Sequence, residues 1–189
     1  MMELVSEAIA FAVRAHDGMR RKKSESPYIL HPMEAAVIVG TMTNDQETIA
    51  AAALHDVVED AGITLCEIEE KFGPRVRALV ASETEDKRAD LPPEATWRIR
   101  KEESLAVLRE TEDIGILMVW LGDKLANMRS LYRDFKVEGD ALWQRFNQKD
   151  VREQAWYYRS IAKLTERLSH TSAWLEYKAL TELVFGKED

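Results

Sequence analysis

The segment ALHDVVED, residues 53–60, is where an apolar helix runs into a cluster of polar side chains. Four alanines and a leucine precede His55, which is typical of a helix buried in the core. One histidine and three carboxylates then follow: His55, Asp56, Glu59 and Asp60. Residues four apart share a helix face, so each member of the His55–Asp56 pair should lie next to a carboxylate of the following turn. The segment is either half of a metal site or the charged end of a helix.

The rest of the chain repeats the helical pattern of this segment. Apolar residues recur at helical spacing in ten stretches, predicted as helices at 2–16, 31–42, 45–60, 64–73, 74–84, 97–110, 113–135, 140–146, 150–168 and 172–185. Pro32 is placed at the first helical position, and Thr64 and Thr96 as N-caps. No stretch alternates as a strand would. The 189 residues therefore predict an all-α protein, a compact single-domain bundle of about eight to ten helices over 1–189.

Charge and composition exclude several classes of protein. The net charge is −8, whereas a protein that binds nucleic acid through its phosphates should be basic, so no nucleic-acid partner is expected. The basic run RRKK at 20–23 can still attract a small anion. The chain has a single cysteine, Cys66, and no signal peptide, which predicts a cytoplasmic protein. It also has no apolar stretch long enough to span a membrane, so no membrane partner is expected.

The side chains of residues 53–60 favour binding of a divalent ion. Imidazole nitrogen combined with carboxylate oxygen suits manganese, zinc or iron. Two adjacent ligands cannot complete a coordination sphere, so other segments must contribute. His31 begins a helix after the basic loop, and Asp123 interrupts an apolar helix in which an unpaired carboxylate would be costly. Asn127 lies one turn further along and faces the same way.

Each of these residues also has an ordinary structural interpretation. His31 can cap its helix, Asp123 can pair with an arginine, and His55–Asp56 can simply end a helix. The residues alone leave both interpretations open, although their joint occurrence favours a metal site.

Longer motifs around these residues resemble a known family. His31, His55–Asp56 and Asp123 match the H…HD…D pattern of HD-superfamily metal-dependent phosphohydrolases. The flanking motifs AHDGMRRKKSESPYILHPMEAA, AAALHDVVEDAGIT, SETEDK and LGDKLANMRSL are similar to the hydrolase domain of RelA/SpoT-type enzymes, especially the small alarmone hydrolases. The resemblance spans about residues 4–165, and helices over 150–185 are expected to pack on that region.

The resemblance implies an activity and a set of roles. The family removes the 3′-pyrophosphate from guanosine tetra- or pentaphosphate, the alarmone of the stringent response, usually with one Mn²⁺ ion. Carried over by position, the metal ligands are His31, His55, Asp56 and Asp123, and the catalytic pair is Glu59 and Asp60. The expected substrate contacts are Arg21, Lys22 and Asn127. Tyr28, which lies beside His31, is a further expected contact if it lines the pocket and does not merely pack the loop. No residues remain for a synthetase domain, so no synthetase activity is expected.

The sequence also departs from the family and leaves alternatives. Ala126 stands where relatives often have histidine, and Met19 where they often have glutamine, which affects base selectivity rather than the metal. Residues 156–158 offer aromatic surface for a base, although core packing is favoured. The alternative substrates are a pppApp-type alarmone or NADPH with its 2′-phosphate. A non-catalytic nucleotide-binding module is a third interpretation, which the intact Glu59–Asp60 pair disfavours. A homo-oligomer is left open.

Overall fold

A computed structural model describes residues 3–21, 25–88 and 90–187 of the chain. Its α-helices are α1 (Leu4–Ala15), α2 (Leu30–Gly40), α3 (Gln46–Leu54), α4 (Val57–Ala61), α5 (Leu65–Glu83), α6 (Pro93–Glu110), α7 (Ile114–Glu138), α8 (Val151–Leu164) and α9 (Ser172–Phe185). Two 3₁₀ helices cover Gly139–Arg145 and Glu166–Leu168. The described residues contain no strand, which confirms the all-α prediction. None of their helices has the length and apolarity needed to cross a bilayer.

The longest helix, α7, is the centre of the bundle. Asp113 caps its N-terminus by accepting a hydrogen bond from the backbone N–H of Gly115. Helices α2, α3, α5 and α9 all pack against α7. One apolar cluster joins most of α7 to α6, α8 and α9, and a second joins α1, α3 and α5 to Val119 of α7. Any side chain at the middle of α7 therefore lies between the two halves of the core.

The predicted helix 45–60 is wrong in one respect, because it is two helices. α3 ends at Leu54 and α4 begins at Val57, with His55 and Asp56 forming the turn between them. Both turn residues keep near-helical dihedral angles. The Ala52 carbonyl accepts a hydrogen bond from the His55 ring, which competes with the backbone ladder at this point.

Two helix starts also differ from the predictions. α2 begins at Leu30, so Pro32 is its third residue and not its first. α6 begins at Pro93, and Thr96 is a buried residue inside the helix and not its cap. Proline is tolerated in each case because the first-turn N–H groups have no partner within the helix.

Other predicted boundaries are confirmed. Thr64 forms a capping box with Glu67, and the backbone breaks at Gly73, where φ is +89°, before Pro74 restarts the helix. The predicted helix 172–185 coincides with α9. Tyr157 is buried in the core, as favoured for the aromatic run at 156–158.

Candidate metal centre

The four predicted metal ligands come together between α2, the α3–α4 turn and α7. His31 Nε2 lies 2.9 Å from Asp123 Oδ1 and 3.5 Å from Asp56 Oδ2. His55 Nε2 lies 3.2 Å from the same Asp56 oxygen and 3.5 Å from the same Asp123 oxygen. One ligand atom from each of His31, His55 and Asp123 lies within 4.8 Å of the others. These four residues are called the ligand cluster below.

The ring of His55 is oriented as a metal ligand requires. Its Nδ1 lies 2.8 Å from the carbonyl oxygen of Ala52, which can only accept, so Nδ1 carries the proton. In the neutral form of the ring, which a metal ligand must adopt, Nε2 then carries the lone pair, and it is buried without a hydrogen-bond partner among the described residues. A lone pair facing carboxylate oxygens is unfavourable unless a cation lies between them. The cluster therefore fits a divalent ion.

Electrostatics within the cluster lead to the same conclusion. Burial would lower the pKa of His55, but Asp56 and Asp123 hold it well above its usual value. Burial would raise the pKa of Asp123, but Lys124 and the two imidazoles hold it well below its usual value. The pKa of Asp56 is likewise lowered, against the effect of burial, by His55 and His31. The site accumulates negative charge that only a cation or imidazolium can balance.

Asn127 and Arg21 form a chain that leads out from the cluster. The Asn127 amide donates to Asp123 Oδ1 at 2.7 Å, and its carbonyl oxygen accepts from Arg21 at 3.1 Å. The Arg21 guanidinium also lies 5.7 Å from the centre of the Tyr28 ring. Two of the predicted substrate contacts are thus beside the ligands. Another of the four predicted contacts, Lys22, lies outside the described residues.

Tyr28 connects the ligand cluster to the predicted catalytic pair. Its hydroxyl lies 2.7 Å from Asp56 Oδ2 and 2.6 Å from Asp60 Oδ2. Burial and the two carboxylates raise the pKa of this phenol, so it stays a proton donor. Lys87 donates to the other oxygen of Asp60 at 2.7 Å. Asp60 is therefore fixed next to a predicted ligand.

The segment after α5 holds Glu59 in place. Its Oε1 accepts from the backbone N–H of Glu85 at 2.6 Å, and Lys87 donates to its backbone carbonyl at 3.0 Å. Burial raises the pKa of this carboxyl, although the Glu85 N–H and Lys87 oppose the shift. The segment 84–88, which overlaps the family-like motif SETEDK, thus closes one side of the site.

Two residues at the site were missed in the sequence. Lys124 donates to Asp123 Oδ2 and lies 3.3 Å from Glu83 Oε2. Both side chains are buried. Both residues lie in the family-like motifs SETEDK and LGDKLANMRSL, and residues 123 and 124 form a charged pair in an apolar helix, but neither signal assigned them a role.

Most of the chain matches a known domain family. The model of the HD domain family matches residues 8–150, which include all four residues of the ligand cluster and the Glu59–Asp60 pair. This chain belongs to the HD domain family. The match ends at Asp150, so α8 and α9 of this HD protein lie beyond it, although α9 packs along α7.

Several curated relatives share this HD region. A Brucella ovis protein named GTP pyrophosphokinase rsh is 38% identical over 128 residues, covering 68% of this chain and 17% of the relative. A guanosine-3′,5′-bis(diphosphate) 3′-pyrophosphohydrolase of Aquifex aeolicus is 36% identical over 130 residues, covering 69% of this chain and 18% of the relative. The chain thus spans less than a fifth of the length of these relatives.

Two solved structures share the fold. A metazoan ortholog of SpoT, described as hydrolysing ppGpp, superposes with a TM-score of 0.76 at 23% identity and covers 99% of this chain and 98% of its own. A protein of Listeria monocytogenes superposes with a TM-score of 0.72 at 30% identity, covering 83% of this chain and 99% of its own. The fold of this HD protein, including α8 and α9, therefore recurs in a compact protein of similar extent.

Proposed function

We propose that this chain hydrolyses the 3′-pyrophosphate of (p)ppGpp, giving GDP or GTP and pyrophosphate, with one Mn²⁺ ion at the ligand cluster. The observation that carries the proposal is the Tyr28 hydroxyl, which lies between Asp56 of the cluster and Asp60 of the acidic pair. Asp60, which can exchange protons, is thereby fixed next to the ligand cluster, and a protein that only binds a nucleotide does not need this arrangement. The names of the Aquifex relative and the metazoan structure support this substrate.

The donor set fits the proposed ion. Two imidazoles and two carboxylates suit Mn²⁺ as well as other first-row divalent ions, so the choice of manganese rests on the family resemblance. When bound, a divalent ion supplies Lewis-acid chemistry, drawing charge from a phosphoryl oxygen and making water a stronger acid. His31, His55, Asp56 and Asp123 would hold it.

The residues around the cluster would handle the protons of the reaction. Water oxygen bonds to the phosphorus on the ribose 3′ oxygen, the bond between that phosphorus and the 3′ oxygen breaks, and pyrophosphate leaves. The water loses a proton and the 3′ oxygen gains one. Asp60, oriented by Tyr28 and Lys87, would accept the first. Glu59, whose pKa is raised by burial, would supply the second.

Cationic side chains would hold the nucleotide. Arg21 lies at the end of the Asn127–Asp123 chain, where it would meet a phosphate beside the ion. Its planar guanidinium can also stack on a base, as it already approaches the Tyr28 ring. Lys22 would add a second positive charge. Asn127, which binds a ligand carboxylate, would couple substrate contact to ligand orientation.

The test is product analysis. The full chain is incubated with Mn²⁺ and ppGpp, and the products are separated by anion exchange. Equal amounts of GDP and pyrophosphate are expected, and Arg21→Met should raise KM more than it lowers kcat. Inert ppGpp alongside turnover of pppApp or NADPH would contradict the proposal and favour one of those substrates. Inert ppGpp with tight nucleotide binding would favour a binding module.

Residues 1–189 are proposed to act as one hydrolase domain in the cytoplasm. Cys66 is exposed and unpaired, as suits a reducing compartment. The partner required by the proposal is a small nucleotide, and an oligomer is not required, because every residue invoked belongs to one chain.

A further inference from the structure

The two carboxylate oxygens of Asp123 have separate tasks. Oδ1 faces the imidazole nitrogens of His31 and His55 and accepts from the Asn127 amide at 2.7 Å. Oδ2 accepts from the ammonium of Lys124, on the far side of the carboxylate. One oxygen is therefore offered to the ion and the other is withheld from it.

Lys124 is itself fixed in place by its surroundings. Only 12% of its side chain is exposed, and its Nζ lies 3.3 Å from Glu83 Oε2. The ammonium also lies 4.7 Å from the centre of the Trp120 ring, one turn earlier on α7. A lysine whose ammonium donates to a buried glutamate oxygen and lies over an aromatic face has little freedom to release Asp123.

We propose that Lys124, anchored by Glu83 on α5, is a positioning residue that turns Asp123 so that only Oδ1 reaches the metal. This inference rests on the proposed function in one respect, because it needs an ion at the ligand cluster. Lys124 is not among the residues proposed to meet the nucleotide or the reacting atoms. Replacing a residue that orients a metal ligand by hydrogen bonding commonly lowers metal affinity by about 10–100-fold.

Charge alone predicts the opposite outcome. A fixed ammonium beside a dication site repels the ion, so removing Lys124 would tighten metal binding if Lys124 acted only through its charge. If Lys124 acts by positioning Asp123, its removal leaves the buried Oδ2 of Asp123 without the Lys124 hydrogen bond and allows the carboxylate to turn, so metal binding weakens. The direction of the change therefore separates the two roles.

Lys101 provides a matched control. It is also a buried lysine, 17% exposed, and it pairs with Glu85 at 2.6 Å. Its ammonium lies 4.9 Å from the centre of the Tyr157 ring, much as Lys124 lies over Trp120. Lys101 has no hydrogen bond to the ligand cluster among the described residues. Its replacement removes a similar charge and similar packing without touching Asp123.

The experiment measures Mn²⁺ binding to the full chain without nucleotide, by electron paramagnetic resonance of the free ion. Lys124→Met should weaken binding about tenfold or more, Lys124→Arg should stay within about threefold of wild type, and Lys101→Met should not change binding. The visible spectrum of bound Co²⁺, which follows ligand number and geometry, should change in Lys124→Met alone. Circular dichroism checks that each variant is folded.

Unchanged or tighter Mn²⁺ binding by folded Lys124→Met would overturn the proposal, as would equal weakening in Lys101→Met. If Lys124→Met does not fold, Lys124→Gln is judged by the same criteria. No nucleotide is present, so an inert ppGpp assay would overturn the proposed function and leave this inference standing. Wild-type protein that binds no Mn²⁺ would overturn both.

Discussion

Asp113 and Asp123 lie on or beside the same helix, α7, in very different environments. Asp113 caps the helix and pairs with Arg75 on α5, and its side chain is 28% exposed. Asp123 is buried between two imidazoles and a lysine. Asp123→Asn should weaken Mn²⁺ binding by at least about 100-fold, because a ligand oxygen and its charge are both changed. Asp113→Asn should cost stability and leave Mn²⁺ binding intact. Parallel Mn²⁺ titrations of the two variants test this difference, and equal affinities would refute the assignment of Asp123 as a metal ligand.

Glu83 gives the metal-free protein a specific pH dependence. Burial raises its pKa from 4.5 to about 8, although Lys124 opposes the shift. The folded state then binds this proton more tightly than the unfolded state does. The stabilisation is complete below pH 4.5 and is lost as pH rises through about 8.

Glu83→Gln removes this dependence. Relative to wild type, the variant should gain about 1 kcal/mol of unfolding free energy per pH unit between roughly pH 5 and 8. Urea unfolding of metal-free protein across that range measures it. Glu103→Gln is the control, because Glu103 is exposed and its pKa is lowered by Arg88. A parallel gain in both variants, or none in Glu83→Gln, would contradict this account of Glu83.

Single residues were predictable where the sequence itself was anomalous. His55, Asp56 and Asp123 stood out because polar groups are costly on apolar helices. The contact between Lys124 and Glu83 did not stand out, because the two residues are 41 positions apart. The contact between Lys124 and Asp123 did not stand out either, because adjacent residues on a helix usually point in different directions. The contact with Glu83 exists only once α5 is packed on α7.

At the scale of elements, the crossing of α2 and α7 sets the spacing of the ligands. A Cβ atom at Gly122 would lie 2.6 Å from Val39 Cγ2 and 3.0 Å from the backbone oxygen of Ala35. Gly122 precedes Asp123 on α7, and Ala35 lies one turn after His31 on α2. The glycine therefore lets the two ligand-bearing helices approach.

Gly122→Ala should force α2 away from α7. We expect a loss of about 1–3 kcal/mol in unfolding free energy, together with weaker Mn²⁺ binding because His31 and Asp123 separate. Gly40→Ala, at the exposed end of α2, meets nothing within 4 Å and should be neutral or slightly stabilising. Urea unfolding and Mn²⁺ titration of both variants provide the check. Wild-type stability in Gly122→Ala would show that the helices do not need this close approach.

Element boundaries were predictable where a cap or a breaker marked them. Thr64 began a helix and Gly73 interrupted one as expected, since capping and positive φ are local effects. The break at His55–Asp56 was missed because no breaker marks it. The residues there are held by contacts with His31 of α2 and Asp123 of α7, which the segment itself does not contain.

At the scale of the whole molecule, the ligand cluster joins the two halves of the core. His31, His55 and Asp56 come from the α2–α4 side, and Asp123 comes from α7, which belongs mostly to the other apolar cluster. An ion bound there cross-links the halves and is lost on unfolding. Binding to the folded state alone stabilises it by mass action.

Mn²⁺ should therefore raise the Tm of the wild-type chain. At a hundredfold excess over Kd, the shift should be roughly 5–10 °C, and EDTA should reverse it. Asp123→Asn should show little shift at the same concentration. Differential scanning calorimetry measures all three conditions, and a wild-type Tm that does not respond to Mn²⁺ would contradict a metal centre at the junction.

The all-α class was accessible from helical periodicity, and the ligand cluster from the resemblance of the H…HD…D pattern to the HD superfamily. The division of the core into two clusters was not, because it depends on which helices meet across α7. The role of segment 84–88 was hidden for the same reason, since Glu59 and Lys87 meet only in the folded chain.

Mn²⁺-dependent release of pyrophosphate from ppGpp by Asp60→Asn tests whether Asp60 serves the chemistry and not metal binding. We expect this variant to bind one Mn²⁺ as wild type does, while kcat falls by about 10²–10⁴. Wild-type turnover in Mn²⁺-loaded Asp60→Asn, or wild-type protein that leaves ppGpp intact when loaded with Mn²⁺, would contradict it.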